Sequence, residues 1–136
     1  MIDHITFAVT NFSESLKFYD ETMRILEIER LKIIEDEESQ MAGYGQKGKC
    51  HFWIFQDRKP NEQELVGKAR GFHLAFTAPN INSIHAWHQK CLDLGGIDNG
   101  APGPRPHFHP NYYTAFIIDP NGWRIEAMLR TYMLKI

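Results

Sequence analysis

The sequence predicts an α+β domain assembled from two copies of one module. Three observations carry this. The segment HITFAVTN (4–11) returns sixty-nine residues later as HLAFTAPN (73–80), with His, Phe and Asn identical and Ile5 set against Leu74. Each copy runs on into a stretch whose apolar residues have helical spacing. Each stretch is followed by short runs of strand-like composition.

Along the first strand, side chains alternate between two faces, so Ile5, Phe7 and Val9 share one and His4, Thr6 and Ala8 the other. Asn11 or Ser13 can cap a helix by accepting backbone N–H bonds. Behind them Phe12, Leu16, Tyr19, Met23 and Leu26 lie on one helical face. Strands are then expected over roughly 27–34, 39–45 and 50–56, which completes a first module at 1–56. The polar, charged stretch DRKPNEQELVGKAR (57–70) reads as the linker.

The second module, 71–136, repeats the pattern. Leu74, Phe76 and Ala78 oppose His73, Ala75 and Thr77 on its first strand, and Asn80 or Ser83 can cap its helix. Ile81, Ile84, Trp87, Cys91 and Leu94 form the apolar stripe, and Gly95-Gly96 stops it. A loop-rich stretch follows, then strands at 112–118 and 123–129 joined by the tight-turn sequence DPNG (119–122). Two copies are too few for a solenoid, so the modules must pair.

Composition excludes several functions. A chain of 136 residues is one domain, long enough to bury a core without disulfides or structural metal. With net charge −2 and no basic stretch interleaved with aromatics, nothing points to nucleic acid. Cys50 and Cys91 are too few and too far apart for a disulfide framework or zinc cluster and read as free thiols. The first strand begins within the first few residues, leaving no room for a signal peptide, and no apolar run reaches membrane-spanning length. A soluble cytoplasmic protein is the expectation, with a small molecule as partner and neither membrane nor nucleic acid.

The strand faces suggest chemistry. On the last strand Ile125, Ala127 and Leu129 oppose Arg124, Glu126 and Met128. A carboxylate inside so apolar a run needs a partner. A single strand histidine ordinarily belongs to core or surface, and a single strand glutamate faces solvent. The repeat, however, sets His4 and His73 at equivalent points of two modules. With Glu126 they match the ligand types of a 2-His-1-carboxylate metal site, and their donor atoms are expected to converge.

The chain resembles the vicinal oxygen chelate superfamily, which includes glyoxalase I, extradiol dioxygenases and bleomycin-resistance proteins. The carriers are DHITFAV followed by SLKFYDE, then GFHLAF, then the closing AFIIDPNGWRIEAML. The resemblance implies two βαβββ modules whose eight strands curl around a cavity. It also implies a divalent metal (Fe, Zn, Ni or Mn) that chelates two neighbouring substrate oxygens. His4, His73 and Glu126 fall on family ligand positions. The fourth family position lies on KCHFWIFQD (49–57), where counting against the repeat places Trp53 opposite Glu126. Glyoxalase I carries there a carboxylate that is both ligand and base. Trp53 can be neither, and is expected to line the substrate pocket, with His51 the substitute if the register shifts.

The stiff loop GAPGPRPHFHPNYY (100–113) carries Arg105, His107, His109, Tyr112 and Tyr113. Pairing across DPNG would set Ala115 opposite Glu126 and Tyr113 on the cavity face. One reading is a rigid loop covering the barrel mouth. The other is a lid in which Arg105 meets an anionic group and Tyr113 or His109 handles a proton. His85 and His88 read as ordinary helix positions. The resemblance therefore implies a metal-dependent lyase, isomerase or dioxygenase, with glyoxalase I itself disfavoured. The alternative is a metal-free binding protein of the bleomycin-resistance type. The cavity could close within one chain or by exchange in a homodimer.

Overall fold

The computed structural model describes residues 1–58 and 71–130. The first module runs β1 (Ile5–Ala8), α1 (Phe12–Ile25), β2 (Glu29–Glu35), β3 (Ser39–Gln46) and β4 (Lys49–Asp57). The second runs β5 (His73–Thr77), α2 (Ile81–Asp93), β6 (Ile97–Pro104), β7 (Tyr112–Ile118) and β8 (Arg124–Arg130). Sheet orders are β1-β4-β3-β2 and β5-β8-β7-β6, the same topology twice. In each, the first strand pairs parallel with the last, and the other pairs are antiparallel. This is the expected α+β fold of two βαβββ modules, with its sheets curled but not closed. The inferred linker lies, from residue 59 on, outside the described residues.

Helix starts and stops are encoded locally. The Asn11 side chain accepts from Glu14 N at 3.2 Å. Asn80 and Ser83 form a reciprocal capping box. After α2, Gly95 takes the left-handed conformation at φ +96°. After α1 the left-handed residue is Glu27, φ +62°, a side chain that this region disfavours.

One strand was not legible as such. The glycine- and proline-rich stretch expected to be loop contains β6, an edge strand whose pairing with β7 is interrupted between Asp98 and Gly100 and again between Gly100 and Gly103. An edge tolerates this composition, because one side of the strand needs no N–H donors.

The helices pack on the apolar sheet faces. Phe7, Val9, Phe52, Ile54, Ala115, Ile117, Ile125, Ala127 and Leu129 are buried there against Tyr19, Met23, Ile84 and Trp87. Burying each large apolar side chain contributes about 1.5–3 kcal/mol. The opposite faces, bearing Thr6 and Trp53 in one module and His73 and Phe116 in the other, stay at least partly exposed.

The DPNG turn does more than reverse the chain. The Asp119 side chain is buried and accepts from Tyr19 Oη at 2.6 Å, Trp123 N at 2.7 Å and Asn121 N at 2.9 Å. Asn121 Oδ1 accepts from Thr10 N at 2.9 Å, and Trp123 Nε1 donates to Ala8 O at 2.7 Å. The Trp123 ring stacks on Phe7 at 5.0 Å. The turn of the second module thus clasps β1 and α1 of the first. Burial pushes the Asp119 carboxyl above its ordinary range, against the lowering effect of the Tyr19, Trp123 and Asn121 hydrogen bonds.

Candidate functional site

The parallel β5–β8 register sets Ala75 against Glu126 and His73 against Arg124. His73 and Glu126 thereby share a face, and His73 Nε2 meets Glu126 Oε1 at 3.0 Å. Glu126 is buried, while the His73 side chain is half exposed. The other carboxylate oxygen, Oε2, accepts from Thr114 Oγ1 at 2.6 Å and Tyr112 Oη at 2.9 Å. Two hydroxyls therefore fix the carboxylate plane and direct Oε1 outward. Burial, followed by the hydrogen bond to Glu126 and its charge, pushes the Tyr112 phenol up to about 12. At neutral pH Tyr112 holds its proton and acts as a donor.

Tyr112 and Thr114 reach Glu126 because β7 pairs Phe116 with Glu126, Thr114 with Met128 and Tyr112 with Arg130. This corrects the expected pairing of Ala115 with Glu126, since Ala115 pairs with Ala127. A one-residue slip reverses every side chain of a strand. Tyr113 consequently lies on the helix side, its hydroxyl 2.7 Å from His85 Nε2, and the residue on the site face is Tyr112. The His109 Nδ1 accepts from Asn111 N at 3.1 Å. Alternation together with the correct turn length would have found Tyr112 and Thr114 from sequence.

His4 does not join the pair. Among the described residues no three His, Cys, Asp or Glu side chains converge as a metal site requires, so the expected convergence within one chain is not met. His4 is instead half exposed just before β1, with Nδ1 2.7 Å from Asp3 Oδ2. A hydrogen bond from Lys49, then one from His4, holds the Asp3 carboxyl down at about 2. An ionised carboxylate can only accept, so Nδ1 of His4 is the donor in this contact.

Trp53 occupies the point in module one that Glu126 occupies in module two. β1 pairs Thr6 with Trp53 as β5 pairs Ala75 with Glu126, and Thr6 and Ala75 are equivalent in the repeat. The indole lies over Gly43, where an added Cβ would sit 2.8 Å from the ring. His51 is exposed on the same strand, two residues before Trp53. Arg105 lies over the Phe116 ring, 5.7 Å from its centroid.

The residues present fit a divalent ion. His73 Nε2 and Glu126 Oε1 are 3.0 Å apart. Neighbouring ligands on an ion with bonds of about 2.1 Å have roughly this separation. Imidazole nitrogen and carboxylate oxygen suit Zn, Ni, Fe and Mn alike. Tyr112 and Thr114 hold Glu126, and Asp3 orients His4, as outer partners do for metal ligands. One chain brings together two of the three candidate donors. Tyr112→Phe should accordingly lower metal affinity about 10–100-fold while leaving the far-ultraviolet dichroism unchanged. Titration with a chelator competitor measures this, and an unchanged affinity would remove Tyr112 from the role.

Repeated βαβββ modules with a parallel first and last strand define a class of paired-module proteins built around concave sheet faces. This chain belongs to the Glyoxalase/Bleomycin resistance protein/Dioxygenase superfamily, whose family model matches residues 1–127. It is similar in fold to a glyoxalase/bleomycin resistance protein from Albidiferax ferrireducens T118, with TM-score 0.72 and 24% identity over 93% of this chain and 96% of that one. It is also similar to glyoxalase I from Zea mays, with TM-score 0.75 and 21% identity over 98% of this chain but 47% of that one. A glyoxalase-related enzyme from Fulvimarina pelagi gives TM-score 0.68 and 16% identity over 94% of this chain and 86% of that one. No curated protein matches. No helix among the described residues is long and apolar enough to cross a membrane.

Proposed function

We propose that the protein is a metal-dependent enzyme of the lyase, isomerase or dioxygenase type, acting on a small substrate with two adjacent oxygens. The observation that carries this reading is the His73–Glu126 pair, with its outer oxygen presented and its inner one held by Tyr112 and Thr114. The third ligand is His4, supplied by a second copy of the chain. In that homodimer the face of one first module, with His4, Thr6 and Trp53, covers the face of the other's second module. Two features support the pairing: curled sheets that do not close within one chain, and half-exposed His4 and His73 side chains.

A divalent ion held there supplies Lewis-acid polarisation of two adjacent substrate oxygens. The chain's own residues do the rest. Glu126 is kept from rotating by its two hydroxyl donors. Tyr112, with its raised phenol, keeps a proton beside the site. Trp53 offers a flat apolar wall that excludes water and favours a flat ligand.

Glyoxalase I chemistry is disfavoured because it needs a base at the position of Trp53, and indole has none. A metal-free binding protein of the bleomycin-resistance type is the second reading, favoured by the absence of three converging donors among the described residues. Metal analysis of protein purified without a His-tag decides between them. Near-stoichiometric metal supports the enzyme, and metal-free protein that takes up none on dialysis overturns it. With methylglyoxal and glutathione, turnover in the nickel, cobalt, zinc and manganese forms is expected to stay below ~1 s⁻¹, the low end of ordinary enzymes. A higher rate with any of them would show that a base exists.

A further inference from the structure

We infer that Arg105 forms an anion slot at the edge of the His73–Glu126 site, and that the substrate carries a carboxylate or phosphoryl group beyond its adjacent oxygens. This rests on the reading of His73 and Glu126 as the substrate-facing pair. Phe116 is paired directly with Glu126 and so shares its face, with its ring centroid 6.5 Å from that of His73. On that ring lies the Arg105 guanidinium, at 5.7 Å. A single aromatic ring thus separates the cation from the pair.

The guanidinium is built into place. Its Nη2 donates to Ala101 O at 2.8 Å and its Nη1 to Pro104 O at 3.4 Å. Its own backbone N–H donates to Tyr112 O at 2.8 Å, which ties the residue to the neck of the β6–β7 hairpin. Two glycines make the bed. A Cβ at Gly103 would stand 3.3 Å from Nη1, and one at Gly100 would stand 3.3 Å from Nη2 and 2.8 Å from the Phe116 ring.

A counter-charge is what the slot lacks. None of the ion pairs among the described residues includes Arg105, although the residue is half-buried. Of the five N–H donors of a guanidinium, the two carbonyls engage two, and the remainder can still fork onto an oxyanion. A flat, fixed, un-neutralised guanidinium beside a substrate site favours an anion over a neutral isostere through charge-assisted bonds.

The probes are catechols, whose adjacent oxygens suit the pair and whose ring suits Phe116, bearing opposite those oxygens a carboxylate, a carboxamide or a phosphonate. Calorimetric titration is run on zinc-loaded and metal-free wild-type protein and on Arg105→Gln. The wild type is expected to bind the carboxylate at least about tenfold more tightly than the carboxamide, a difference of roughly 1.4 kcal/mol. Arg105→Gln should erase that preference. The phosphonate arm reads which oxyanion the slot prefers. Equal binding of carboxylate and carboxamide by wild type overturns the slot without any variant. So does a preference that survives Arg105→Gln, or failure of the carboxylate to bind at millimolar concentration. An Arg105-dependent preference accompanied by absolute catechol affinities that zinc does not change keeps the slot and counts against the metal reading alone.

Discussion

Asp119→Ala is expected to destabilise the fold by about 3–4 kcal/mol. The substitution strands the buried Tyr19 hydroxyl and the Trp123 N–H, each worth about 1–3 kcal/mol when left unsatisfied. The loss depends on pH, with a sign set by the raised carboxyl of Asp119. A folded-state value above the unfolded one, about 3.9, means that the folded protein binds the proton more tightly. The stability this contributes is complete below the unfolded value and is lost as pH rises through the folded one. Wild type should therefore exceed Asp119→Ala by more at about pH 4 than at about pH 8. Urea unfolding at both pH values, followed by tryptophan fluorescence, measures it. A penalty that grows with pH would contradict the burial argument.

Glu126→Ala is expected to abolish stoichiometric metal, a loss of more than about 100-fold in affinity, since a ligand matters more than its outer partners. The fold should survive, because removing a carboxylate from an apolar strand also relieves its desolvation. If the variant unfolds, Glu126 was a structural partner of His73, Tyr112 and Thr114 instead. Mixing Glu126→Ala with His4→Ala chains tests where the third ligand comes from. Neither variant alone should hold metal. Random exchange into dimers should restore roughly a quarter of the wild-type sites, because half the dimers are mixed and each then has one intact site. No recovery after exchange would refute a site shared between chains.

The paired-module fold was legible because the second copy keeps the spacing of the first from strand to helix cap. Asn11 and Asn80 both cap, and Phe18 and Trp87 are both fully buried. Glu126 betrayed itself as a carboxylate in an apolar strand, and the structure sets it 3.0 Å from His73. The hairpin register was not legible, because it depends on the turn. Asp119 accepts from Asn121 and Trp123 backbone N–H groups, which draws Trp123 into the loop and leaves Ile118 paired with Arg124. That extra residue exchanged Tyr113 for Tyr112 at the site. β6 was hidden by a composition that only an edge strand permits. His4 could be placed on a strand face by alternation, but alternation is silent on which other face it meets.

The clasp around Asp119 and Trp123 also bears on the order of events during synthesis. A chain made of two similar halves invites the idea that the first folds as it leaves the ribosome and waits for the second. Here Phe7 is covered by Trp123, Phe52 meets Phe76, and the Tyr19 hydroxyl finds Asp119. The nascent N-terminal half therefore emerges with its aromatic seam open and a buried-to-be hydroxyl unmatched. It stays so until nearly the last strand has been translated. Such late, sequence-distant closure slows folding and leaves apolar surface available to chaperones or to other nascent chains.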